Sequence, residues 1–264
     1  MGTHLKQGFT IVETMLVLAI TGVLVTGLLV GVSASIANQR YRDSVATFKS
    51  FLQDQYSQVD NVSNERPANF TCTSAAKPVA VTGSDNTNPG QTGCVLLGRY
   101  ITVIDGDVTT AAVVGYENST TAAATDVQTL KDNYSFGILG SSVQTSTLEW
   151  DAKIAWPATG VDGRSQTTPR SLSILIVRSP QSGSSYTFTA DTAPQIDAVS
   201  SETLKSLLVQ SLTTTPGQKA QTICVDPSGV SVSEKFAVYI AQAASGANSV
   251  EVRSNSLDGV VSKC

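Results

Sequence analysis

Phe9–Val32 is a run of 24 residues, mostly Val, Leu, Ile, Ala and Gly, with Glu13 as its only charge. As a helix rising about 1.5 Å per residue it spans roughly 36 Å, enough to cross a hydrocarbon core about 30 Å thick. An ionised carboxylate in such a segment costs about 2.5–3.5 kcal/mol at mid-membrane, so an acid placed there calls for a function. A buried helix of a soluble domain is a further reading, but an uninterrupted run this long has no polar face to give one. Two other segments share this outline, a secretory signal and a plain signal anchor. Ser35-Ile36-Ala37 has the small residues of a signal cleavage site, but the run exceeds the usual 7–15 residues and contains an acid.

A short leader precedes the run, with His4 and Lys6 as its basic residues, and it ends Gln7-Gly8-Phe9. This order of basic leader, Gly, Phe, apolar residues and Glu resembles the class III signal of the type IV pilin and pseudopilin superfamily. Phe9 stands at the mature N-terminus of that pattern and Glu13 at its fifth mature position. The resemblance implies cleavage between Gly8 and Phe9 by a membrane-embedded prepilin peptidase, N-methylation of the Phe9 amine, and assembly with other pilin subunits. It covers about the first 60 residues. The chain departs from the pattern at Gln7, where Lys or Arg is usual, and lacks the mid-segment proline of many pilins. Gly22, Gly27 and Gly31 occupy that region instead, each weakening the helix by about 1 kcal/mol.

Glu13 also has a reading on physical grounds alone. Cleavage before Phe9 places a free amine one helical turn from the carboxylate. In a dry bundle of helices an unpaired carboxylate is strongly unfavourable, and an amine from a neighbouring helix offset along the axis would compensate it. Glu13 and Phe9 are therefore the expected assembly residues, with Glu13 reading axial register as a buried polar residue does in a coiled coil.

Beyond Val32, Tyr41, Val45, Phe48, Leu52, Tyr56 and Val59 recur at steps of three and four, and Arg40, Arg42, Asp43, Lys49 and Asp54 fall off that stripe. The pattern predicts one helix from Phe9 to about Val59. Residues 61–93 are rich in Pro, Gly, Asn, Ser and Thr, a long connection for a compact domain. Strand-like runs follow at Val95–Ile104, Ala111–Tyr116, Ser135–Leu139, Thr147–Trp156, Ser171–Val177, Tyr186–Thr189, Thr222–Val225, Phe236–Ile240 and Ser249–Val252. Asp105-Gly106 reads as a hairpin turn, and Glu202–Leu212 as a short helix capped by Ser200 or Ser201. The expected class is α+β: a transmembrane and amphipathic helix packed on an antiparallel sheet. The expected divisions are 1–8 leader, 9–32 membrane or filament-core helix, 33–60 amphipathic helix and 61–264 extracytoplasmic head.

Cys72, Cys94, Cys224 and Cys264 are even in number and lie beyond the apolar run, which outside the cytoplasm points to two disulfides. Three pairings are open, and proximity favours Cys72 with Cys94 and Cys224 with Cys264. A zinc site needs closer ligand pairs, and the single histidine is in the leader. With no imidazole beyond His4 and no nucleophile elbow, phosphate loop or dinucleotide fingerprint, the sequence offers no catalytic residues, metal ligands or cofactor. A net charge of −4 with 14% charged residues also argues against a nucleic-acid surface, although a part in DNA uptake does not require one. Asp105 with Asp107, or Asp151 with Asp162, could hold calcium, and Asn61, Asn69, Asn118 and Asn133 begin glycosylation triplets, but solvated turns and chance explain both. Trp150 and Trp156 read as core or edge packing, or as an exposed adhesive pair.

Three functions fit. The first is a minor pilin of a type IV pilus-like filament, inserted in the cytoplasmic membrane with its leader inside. The second is a pseudopilin of a type II secretion or DNA-uptake machine. The third is an anchored extracytoplasmic binding domain that does not polymerise.

Overall fold

A single helix of 50 residues, α1 (Ile11–Asp60), is the first element among the described residues. No proline interrupts it, and a Cβ at Gly22, Gly27 or Gly31 would meet nothing within 4 Å, so these glycines are not required by packing inside the chain. The Thr10 side chain accepts the Glu13 N–H at its start, and Asn61 closes its end. The computed structural model describes residues 10–61, 70–80, 94–157, 169–214, 216–228, 232, 234–254 and 264. Gly8, Phe9, Asp162, Asn69 and the turn at residues 82–90 lie outside these.

The chain then forms β1 (Phe70–Cys72), β2 (Pro78–Ala80), β3 (Cys94–Ile104), β4 (Asp107–Glu117), α2 (Asp126–Asn133), β5 (Tyr134–Ile138), β6 (Gln144–Thr147), β7 (Lys153–Ala155), β8 (Ser171–Arg178), β9 (Ser185–Ala190), α3 (Ser201–Leu207), β10 (Gln221–Asp226), β11 (Phe236–Ile240) and β12 (Val250–Ser254). Among the described residues the strands make two sheets and a ribbon, where one sheet was expected. The larger is ordered β5-β4-β3-β8-β9 with β6 also on β4, the smaller β12-β11-β10-β7, and β1 pairs with β2. Every pairing is antiparallel. Asp105-Gly106 forms the two-residue turn between β3 and β4, with Asp105 at φ 59°. Gly137 lets the β1–β2 ribbon settle on β5, because a Cβ there would collide with the Ala76 carbonyl.

The second half of α1 lies across both sheets. Its Tyr41, Val45, Phe48, Leu52, Tyr56 and Val59 share a core with Ile101, Leu172, Ile174 and Ile176 of the larger sheet and Ile223, Val225, Val238 and Ile240 of the smaller. Polar contacts set the register: the Tyr41 hydroxyl accepts from the Phe236 N–H at 2.7 Å and donates to the Val225 carbonyl at 3.0 Å. Gln55 Oε1 accepts from Arg99 Nε and Thr110 Oγ1, both at 3.0 Å. The opposite face of the larger sheet has its own core, in which Leu97, Tyr100, Leu175, Val177 and Phe188 meet Val127 and Leu130 of α2 and Leu204 and Leu207 of α3.

Three elements differ from expectation. Thr147–Trp156 holds only the last residue of β6, then a 3-10 turn at Glu149–Asp151 and β7, because Trp150 and Asp151 adopt positive φ and break the strand. α3 ends at Leu207, with Leu208 still buried but Leu212 exposed. The β1–β2 ribbon falls within the stretch read as a long connection, and α2 within a stretch to which no element was assigned.

Candidate membrane and assembly segment

Residues 11–36 of α1 are all exposed, and the long apolar side chains point in every direction, from Ile11 and Val12 through Leu18, Val23 and Leu24 to Leu28, Leu29 and Val32. Nothing else among the described residues covers them. This length of helix is roughly 39 Å, longer than a hydrocarbon core. Four of its hydroxyls are satisfied within the helix: Thr14 donates to Ile11 O, Thr21 to Val17 O, Thr26 to Gly22 O and Ser33 to Leu29 O, at 2.8–2.9 Å. With those groups returned to the backbone and no glycine filled, the surface offered is apolar, as lipid or a neighbouring helix requires.

Glu13 is exposed in the first turn of this surface. Its backbone N–H donates to Thr10 Oγ1 at 3.3 Å, so Thr10-Ile11-Val12-Glu13 forms the first half of a capping box. That Thr-x-x-Glu signal is legible in the sequence. It adds a local role to the expected one, since a carboxylate at a helix N-terminus also meets the positive end of the helix dipole. Gly8 and Phe9, the expected processing residues, lie outside the described residues, so the spacing between the Phe9 amine and Glu13 stays an expectation.

The structure joins Cys72 to Cys94, with Cα atoms 4.9 Å apart, and Cys224 to Cys264, 5.4 Å apart. The first links the β1–β2 ribbon to the start of β3. The second fixes the last residue into an apolar cluster with Ala155 and Ala237.

The acidic candidates for a cation are otherwise engaged or dispersed. Asp105 pairs with Lys153 at 2.6 Å, and the described residues contain no group of three or more His, Cys, Asp or Glu suited to a metal. Asn133 is buried and donates to Thr121 O at 2.7 Å, and Asn118 donates to Ser135 Oγ at 2.6 Å. The two tryptophans have different settings: Trp156 is 3% exposed and stacked with Arg170, whereas Trp150 is 54% exposed and stacked with Arg40.

Residues 4–29 match the family model of the prokaryotic N-terminal methylation motif. No curated protein and no solved structure matches the chain. The motif carried on a long apolar helix, with that helix packed on antiparallel sheets, is pilin-like in both signal and fold, and it supports a membrane-anchored type IV pilin-like or pseudopilin subunit rather than an enzyme.

Proposed function

We propose that the chain is a minor subunit of a type IV pilus-like filament. In this reading it is made as a precursor, inserted leader-in, cut between Gly8 and Phe9 by prepilin peptidase, methylated on Phe9 and polymerised through the exposed half of α1. The observation that carries it is the coincidence of the methylation motif at residues 4–29 with a wholly exposed apolar helix at residues 11–36. A head with two sheets and two disulfides is more than a subunit repeated along a whole fibre requires, which favours a minor position. A pseudopilin of a secretion or uptake machine is the alternative, separated from the first by whether the chain is found in surface fibres or only in the envelope.

Mass spectrometry of the native protein tests the processing step, with a methylated Phe9 at the N-terminus as the expected result. An intact Met1 would leave an anchored domain that does not polymerise, and a start at Asn38 would mean a cleaved signal. For assembly, Glu13→Ala should leave membrane insertion intact and remove the chain from sheared filaments.

A further inference from the structure

We propose that the turn Glu149–Asp151 is a foot that seats the head on the phospholipid headgroup layer, with Trp150 as the residue that enters it. This rests on the membrane-anchored reading of α1 and adds a second point of contact. Trp150 sits at φ 59° and ψ 34°, and Asp151 follows at φ 57°, two successive residues with side chains in left-handed backbone. Such conformations persist only where surrounding contacts hold them. Here those contacts are visible. Leu148 is buried just ahead of the turn, Thr47 Oγ1 donates to the Glu149 carboxylate at 3.2 Å, the Arg40 guanidinium lies 4.6 Å from the Trp150 ring centroid, and the Ser228 hydroxyl donates to the Asp151 carbonyl. All this restraint holds a tryptophan outward.

The place where it points is set by α1. A groove of about 570 Å³, lined by Ile36, Ala37, Arg40, Tyr41, Trp150 and Pro227, continues the exposed apolar helix up to the base of the head. A hydrocarbon core of about 30 Å takes up roughly 20 helical residues. Laid from Leu16 to Ile36, it leaves Glu13 about 4–5 Å outside one boundary and Arg40 about 6 Å outside the other, each within a headgroup layer some 5–7 Å deep. Sliding the helix toward the head draws Glu13 into hydrocarbon at a cost of up to about 3 kcal/mol, so the acid itself favours this register. Trp150, stacked on Arg40, then lies at the depth where an indole is most stable, its ring apolar and its N–H wet. Glu149 and Asp151 flank Trp150 in the turn, and Arg42 is paired with Glu234 at 3.5 Å, so the foot carries no excess of positive charge. The seat therefore does not depend on anionic lipid.

The test uses the full chain reconstituted into phosphatidylcholine vesicles whose acyl chains carry bromine either near the glycerol or near the methyl end. Tryptophan emission of the parent is compared with that of Trp150→Phe, which leaves the buried Trp156 as the remaining indole. The difference signal should be quenched several-fold more by shallow than by deep bromine and shielded from aqueous iodide, at all protein-to-lipid ratios. Protein that floats with the vesicles but shows a difference signal open to iodide and blind to bromine overturns the foot while sparing the anchor. Shielding that appears only at high protein density also overturns it, and assigns the groove to a second copy of the chain. Failure to float with vesicles overturns the anchor and the foot together.

Discussion

The first and second halves of α1 share one uninterrupted backbone, yet residues 11–36 are all exposed while Tyr41, Val45, Phe48, Leu52, Tyr56 and Val59 are buried under two sheets. The difference is one of pattern. The second half keeps its large apolar residues on a single stripe, so one side can pack and the other can face water. The first half is apolar around its whole circumference, and no single sheet can cover a cylinder. A partner that surrounds the helix, lipid or a ring of like helices, is the only environment that satisfies it. Stability of the head and placement of the subunit are thus separate properties of one helix.

The largest expected effect breaks that separation on the placement side: Glu13→Ala should reduce filament incorporation by an order of magnitude or more, read by immunoblot of sheared filaments, with the head's denaturation midpoint unchanged. On the packing side, Phe48→Ala should lower the head's unfolding free energy by about 3–5 kcal/mol in urea titrations, because Phe48 is 1% exposed in the shared core. Leaving membrane partition untouched is part of that prediction. Removing the Cys224–Cys264 bond, which closes 40 residues, by a double serine replacement should cost about 4 kcal/mol, and the Cys72–Cys94 bond, closing 22, slightly less. A reversed order of the two would point to residual structure in the unfolded chain.

Tyr56 supplies a pH test confined to the packed half. Burial pushes its hydroxyl up to about 12, against a hydrogen bond with Thr187 that acts the other way, and burial does the same to Tyr100. A phenol whose folded pKa is raised stays protonated in the native state while the unfolded chain ionises. The stability it contributes is therefore complete below about pH 10 and is lost between about pH 10 and 12, on the order of 2 kcal/mol for each ring. Tyr56→Phe should flatten part of that decline in urea midpoints measured across this range. The smallest effect closes the comparison: Leu24→Ala, in the exposed half, should alter the head's unfolding free energy by no more than about 0.5 kcal/mol. A larger change would mean that the two halves are energetically coupled.

Several elements were legible because their signals are local. The helical stripe from Tyr41 to Val59, the hairpin at Asp105-Gly106 and the Ser200 cap of α3, which accepts the Thr203 N–H, all follow from neighbours in sequence. α2 carried a comparable signal, with Thr125 accepting the Gln128 N–H and Val127 and Leu130 one turn apart, but eight residues make a weak period. The β1–β2 ribbon, three residues a strand, is too short to show alternation. Leu208 and Leu212 kept helical spacing after α3 had ended, because apolar periodicity reports which positions can be buried together and not whether the backbone continues to coil.

What the sequence alone determined is whatever depends on a stretch being apolar, periodic or punctuated: the membrane-length helix, the methylation motif with its acid, the positions of most strands, and the even set of cysteines. The tertiary structure decided how β7, β10, β11 and β12 separate into a second sheet, which faces α1 covers, and that Trp150 is held outward while Trp156 is enclosed. Those outcomes depend on contacts between residues more than a hundred positions apart, such as Tyr41 with Val225 and Thr47 with Glu149, whose energies exist only once the chain has folded. Local pattern states what each segment can bury; the choice of partner is settled by geometry across the whole chain.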